Sequence, residues 1–209
     1  SDGLTRSRLE LLAALGMEKL IVSADVYHQE FVPVERVRRC VEIAKQVLGG
    51  DRVRVRWWDF YNEPVDLRRT DADSKRAAYA KALERHKDRL TGRAADRLAE
   101  FFPRHAPEAF REANCVSEVL HGRHVHIDPY GYVFPGVCSG IILGNANQAA
   151  VPQIWRDLAI NWREHPVVGA VVAGSSYRLY EKARELGYQP LADGYAGKCH
   201  LCQHVRQFL

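Results

Sequence analysis

The chain has one methionine, Met17, and begins at Ser1, so its first residue is not an initiator and the expectation is a processed or cut end with more sequence upstream. No apolar run approaches the ~20 residues that cross a bilayer, and the N-terminus lacks the charged-then-apolar pattern of a secretory signal. No membrane partner is expected, and a cytoplasmic location is. Without secretory features, five cysteines argue against a disulfide framework and for thiolate ligation or plain burial. Charge of one sign is also scarce: 30 Lys and Arg against 26 Asp and Glu leave +4, spread along the 209 residues, so nucleic acid is not an expected partner. Repeats and low-complexity segments are absent, and 46% hydrophobic with 27% charged residues excludes disorder, collagen and coiled coil.

What is present begins with an amphipathic helix over 6–15 and the apolar stretch Leu20, Ile21, Val22, which ends at Ser23 and reads as a buried strand. Val37, Val41, Ala44 and Leu48 recur at helical spacing, and Gly49-Gly50 closes that helix. Val53, Val55 and Trp57 then alternate with Arg52, Arg54 and Arg56, as a strand does. Strand, helix, strand is a βαβ unit, which implies parallel pairing and a sheet covered on both faces. Residues 61–113 are highly charged and rich in Ala and Arg, and read as a helical connector with a solvated face. After Cys115 the pattern changes. His124–Ile127 and Tyr132–Phe134 flank Asp128-Pro-Tyr-Gly131, a β-hairpin, and helices follow at about 152–164 and 176–186.

Four cysteines are the sharpest chemical feature. Cys199-His-Leu-Cys202 lets two sulfurs face one metal, and its place at a helix start favours ionised thiols through the helix dipole. Cys115 precedes the hairpin and Cys138 follows it, so antiparallel pairing brings those two together. Four converging thiolates suit a structural Zn²⁺ or an iron–sulfur cluster, and the presence of only one Cys-x-x-Cys knuckle tilts toward a cluster.

The segment from Cys115 through His126-Ile-Asp-Pro-Tyr-Gly-Tyr-Val-Phe-Pro-Gly-Val-Cys138 to Asn145, with Gly197-Lys-Cys-His-Leu-Cys202, resembles the auxiliary-cluster region of radical S-adenosylmethionine enzymes of the SPASM or twitch type. Ser23-Ala-Asp25-Val-Tyr-His28-Gln-Glu-Phe-Val-Pro33 resembles the fourth strand and following loop of their barrel. The resemblance implies a partial (β/α)6 barrel and an auxiliary [4Fe-4S] cluster held by Cys115, Cys138, Cys199 and Cys202. It departs at one place: the Cys-x3-Cys-x2-Cys loop that binds and reduces S-adenosylmethionine is absent, because successive cysteines lie 75, 23, 61 and 3 residues apart. By the resemblance this is the C-terminal part of a longer enzyme whose other part uses S-adenosylmethionine, and it cannot cleave that molecule alone.

Ligands of α/β sheets sit at the carboxyl ends of strands, and the resemblance turns this edge toward the S-adenosylmethionine and substrate cavity. There Asp25 and His28 are the candidate catalytic residues, for a hydroxyl contact and a proton transfer, and Ser23 and Arg56 are candidates for holding the cosubstrate, Arg56 by a carboxylate fork. The plainer reading makes Ser23 and Asp25 loop caps, His28 a packed ring and Arg56 a polar position on an alternating strand. Cys40 fits the apolar face of its helix, His121, His124 and His126 fit surface or packed positions, and His200 and His204 fit neighbours of the sulfur ligands. Gly174-Ser-Ser176 reads as a helix cap, and Trp155 and Trp162 as core.

The expected fold class is therefore α/β: residues 1–60 as part of a partial barrel, 61–113 as connector, and 114–209 as a small α+β cluster-binding module with a β-hairpin. The expected function is auxiliary [4Fe-4S] binding for electron relay or substrate anchoring, on an unidentified peptide or small-molecule substrate. The N-terminal half or a second copy, docked through an exposed barrel edge, are the expected protein partners. A structural or interaction module stabilised by zinc on the same four cysteines, without a redox role, is the alternative, and an RNA binder using Arg52, Arg54 and Arg56 is the third.

Overall fold

The computed structural model describes residues 1–86, 89–136 and 138–209. The chain divides into two compact units, Ser1–Lys87 and Asp88–Leu209. It is a mixed α/β protein with small sheets, and among the described residues no sheet closes into a barrel. No helix of the described residues is long and apolar enough to cross a membrane.

The first unit runs α1 (Asp2–Ala14), β1 (Leu20–Ser23), α2 (Val26–Gln29), α3 (Val34–Leu48), β2 (Val53–Arg56), α4 (Trp58–Asn62) and α5 (Ala72–Arg85). β1 and β2 pair in parallel with Leu20 opposite Val53 and Ser23 opposite Arg56. Helix α3 forms because Val37, Val41, Ala44 and Leu48 share a stripe that buries against Leu9, Val53 and Val22, and it stops at Gly49, whose φ of 93° suits glycine. α1 packs on the same side. The expectation of a sheet covered on both faces fails here: Ile21 is 53% exposed and Arg54 also points outward, so among the described residues only one face is packed. Gln29, 3% exposed, ties the unit together by donating from Nε2 to Ala24 O and Phe60 O, both 2.9 Å, and accepting from Val65 N.

The second unit contains α6 (Arg93–Arg97), α7 (Val116–Val119), β3 (Val125–Ile127), β4 (Tyr132–Pro135), β5 (Gly144–Asn145), α8 (Val151–Asn161), α9 (Pro166–Glu185) and α10 (Lys198–Phe208). The hairpin forms as read, with Ile127 opposite Val133, and β5 adds a third antiparallel strand. α9 starts ten residues earlier than the 176–186 helix read from the sequence, and the Gly174-Ser175-Ser176 stretch is a break inside it. Ser175 takes a left-handed φ of 66° there while its hydroxyl donates to Phe110 O and Arg111 O at 2.9 and 3.3 Å. The core joins α9 and α10: Val168, Val171, Leu179, Leu201 and Val205 are all within 1% of full burial. Removing one such leucine from water stabilises by about 2 kcal/mol. The charged 61–113 region is shared between the units and is not a solvated face alone: Leu67, Ala82, Ala95, Leu98 and Ala99 are buried.

Candidate functional site

In the second unit, each of the four cysteines of interest is delivered by a local device. Cys115 caps the N-terminus of α7, and Val116 N is held by the Asn114 side chain at 2.8 Å. Cys138 sits in the turn after β4, where its N–H donates to Pro135 O at 3.0 Å. Cys199 and Cys202 occupy the opening turns of α10 after Gly197. All four are free thiols of intermediate exposure, and Cys115, Cys138 and Cys202 pack against the same buried core.

Burial shifts all four thiols, and the charge of other cysteines adds to the shift at Cys115, Cys138 and Cys202. Burial pushes the Cys138 thiol up to about 12, and Cys199, Cys202 and Cys115 each push it further in the same direction. Burial likewise raises Cys115 to about 11 against the pull of Lys198, with Cys202, Glu118 and Cys199 adding to the rise. Cys199 and Cys202 also rise through burial, opposed respectively by Lys198 and Arg206. The expectation that the helix start would keep the Cys-x-x-Cys thiols ionised is thereby corrected: loss of water outweighs the dipole, and the metal-free thiols stay protonated at neutral pH. Among the described residues, no three or more His, Cys, Asp or Glu side chains already form a metal cage.

Sequence reading missed the charged groups around these sulfurs. Lys198 Nζ bonds Asn114 O and lies 3.2 Å from Glu118 Oε1, and Arg89 Nη1 stands 4.0 Å from the same oxygen. Arg206, four residues after Cys202, pulls that thiol's proton affinity down and donates from Nη2 to Ser139 O at 3.0 Å. Its Nε is buried with no hydrogen-bond partner among the described residues. Position alone was the available signal, since Lys198 precedes Cys199 and Arg206 follows Cys202 by one helical turn. A surface cavity of about 280 Å³ adjoins α7, lined by Arg89, Ser117, Glu118, His121, Arg123 and His124 among others.

The histidines flanking the cysteines are engaged with each other. His200 is 2% exposed, its Nδ1 accepts from Ala196 N at 3.1 Å, and its Nε2 lies 3.1 Å from His204 Nε2. Burial, aided by His204 and Arg104, drops it to about 4, so it is neutral at physiological pH. His124 and His126 meet edge to face, and His126 stacks on Phe134.

The other candidate residues gather in the first unit. Strand register sets Ser23 beside Arg56 at the carboxyl end of the two-stranded sheet. Asp25, 4% exposed, caps α2 by accepting from His28 N at 2.9 Å, and its second oxygen lies 2.6 Å from His28 Nδ1. The cap reading and the paired reading are thus both present in one carboxylate. The His28 side chain is 64% exposed and does not pack as a core ring. With Nδ1–H donating to Asp25, the tautomer assigned by that contact leaves Nε2 as the basic nitrogen. Just beyond Arg56, Trp57 adopts a left-handed φ of 63°, uncommon for a bulky residue, and its ring lies 4.0 Å from the His86 ring. His86 in turn meets Asp59 Oδ2 at 3.0 Å. The Arg52 guanidinium bonds Glu18 O and Met17 O. Cys40 is half-buried and lines a surface cavity with Ser1, Asp2 and Ile43, not the centre of the core.

No family model, curated protein or solved structure matches the chain. Its function is therefore read from the residues themselves.

Proposed function

We propose that the second unit is a tetrathiolate module in which Cys115, Cys138, Cys199 and Cys202 hold one inorganic centre, an auxiliary [4Fe-4S] cluster of a radical S-adenosylmethionine enzyme. What supports this reading is a set of four free thiols from three separate segments, of which Cys115 and Cys138 are pushed up by the charge of the others as well as by burial. The donor chemistry supports it: four soft sulfurs, with the Lys198 and Arg206 cations acting on them, and an Arg206 Nε–H that is buried without a partner among the described residues. Because they do not form a ready cage, the side chains must draw together on binding and release their protons as they do. When bound, such a cluster supplies an electron relay or an anchoring iron.

The first unit is read as a fragment of the partial barrel of that enzyme. Ser23 and Arg56 would orient the cosubstrate at the strand ends, and His28 Nε2 would take or give a proton while Asp25 fixes its ring. These 209 residues contain no Cys-x3-Cys-x2-Cys spacing, so cleavage of S-adenosylmethionine belongs to the parent enzyme. Zinc is the second reading, favoured by one observation: three of the thiols pack against the core of their unit, where a structural ion stabilises the fold. Anaerobic reconstitution with iron and sulfide, followed by metal and labile-sulfide assay, separates the two. Iron with equal sulfide supports the cluster; zinc at one per chain without sulfide supports the structural ion.

A further inference from the structure

The cavity beside α7, within the second unit, owes its shape to two glycines. Helix α7 is a single turn anchored by the fully buried Val119, and the chain doubles back at Gly122 toward β3. It passes so close that a Cβ at 122 would stand 3.3 Å from Glu118 O and 3.7 Å from the Trp155 ring. His121 and Arg123, both exposed, are set on either side of this bend. Gly136 N then donates to His124 O at 3.2 Å, extending the hairpin ladder beyond the Val125 and Pro135 pair. The His124 ring lies over position 136, where a Cβ would come within 2.1 Å of its Nε2. Arg89, from the stretch before α6, completes the wall of the 280 Å³ space.

Two guanidiniums and two imidazoles thus face one concavity whose single carboxylate, among the described residues, is Glu118. That carboxylate is already taken: Oε1 lies 3.2 Å from Lys198 Nζ and 4.0 Å from Arg89 Nη1, and Oε2 accepts from the Ser117 hydroxyl at 2.9 Å. The Arg123 guanidinium and the His121 ring have no partner among the described residues. Positive charge gathered along a concave wall focuses the local field and attracts an anion. We propose that this cavity binds the phosphate group of a phosphomonoester, with Arg89 and Arg123 holding its oxygens from two segments and His121 and His124 donating N–H. Four such side chains suit the three terminal oxygens and up to two negative charges of a phosphomonoester better than the two oxygens and one charge of a carboxylate. The volume lies just under the usual range for small-molecule sites, which leaves room for the phosphate and a few attached atoms. The proposal does not depend on what the four thiols hold.

The test titrates inorganic phosphate and O-phosphoserine into the full chain by calorimetry at low ionic strength, with acetate as competitor. Both phosphates should fill a single saturable site, more weakly as salt rises, and acetate should not displace them. R123Q should weaken both about 10–100-fold, the loss expected when a charge-assisted pair is removed. R163Q removes an exposed guanidinium of the same unit that stacks 4.3 Å from the Trp162 ring, and should leave binding unchanged. Should R123Q lower the unfolding midpoint, R89Q decides, because Arg89 approaches from a different segment. A short phosphoserine peptide that binds more tightly than O-phosphoserine assigns the group to a peptide, and equal or weaker binding assigns it to a small molecule. No saturable phosphate binding, binding unchanged in R123Q, an equal loss in R163Q, or full displacement by acetate overturns the proposal.

Discussion

Zinc added to the metal-free protein should expel four protons. All four thiols are raised above their ordinary value of 9.0, Cys115 to about 11 and Cys138 to about 12. At pH 7 a thiol titrating near 9 is about 1% ionised and one near 11 about 0.01% ionised, so essentially every ligand enters the reaction protonated. Each must leave as a thiolate, and the apparent affinity should climb about 10⁴-fold per pH unit between about pH 6 and 8. Calorimetry in buffers of different ionisation heat reads the number directly, as the slope of observed enthalpy against buffer enthalpy. Cys138→Ser should bring the count to three and weaken binding, whereas Cys40→Ser, in the other unit, should change neither. A release of one proton or none, or an affinity flat with pH, would refute ligation by these four sulfurs.

Without metal, the same shifts make stability pH-dependent. The folded thiols bind protons more tightly than the unfolded ones, so this stabilisation is fully present below about pH 9 and declines as pH rises toward 11 and 12; urea midpoints between pH 8 and 11 check the sign. Leu201→Ala, at a fully buried position, should cost about 2–5 kcal/mol by denaturant unfolding of the second unit. Gly194→Ala should be comparably damaging: φ is 76°, and a Cβ would meet His105 O at 2.5 Å, where the backbone bridge from His105 to Tyr195 forms. In the first unit Asp25→Ala should cost about 1 kcal/mol for the lost cap, while His28→Ala, at an exposed ring, should stay within about 0.5 kcal/mol; both are read by the same denaturant unfolding.

The parts of the fold that were legible are those fixed by short-range pattern. The Val53, Val55 alternation and the Val37 to Leu48 stripe specify a strand and a helix before any tertiary contact, and their order already implies parallel pairing. The hairpin at Asp128–Gly131 was legible for the same reason, Gly131 taking a φ of 87° in the turn. Residues 166–173 were not: Pro166 and Gly169 interrupt a helical pattern locally, yet Pro sits at the first helical position where it costs nothing, and Val168 and Val171 bury fully. β5 is two residues long and exists only because β4 offers it a partner. At the site, cysteine spacing marked the donors, but the thiols' protonation depended on burial, which no spacing reveals. Trp57's left-handed backbone and the orphan Nε of Arg206 are likewise properties of assembled structure, invisible along the chain.

The most direct test of the whole account is the metal and sulfide content of the chain purified and reconstituted without oxygen. Four iron and four labile sulfide per chain are expected, both lost together when any one of Cys115, Cys138, Cys199 or Cys202 becomes serine. A chain that stays folded, holds neither iron nor zinc after reconstitution, and is unchanged by those four substitutions would contradict it.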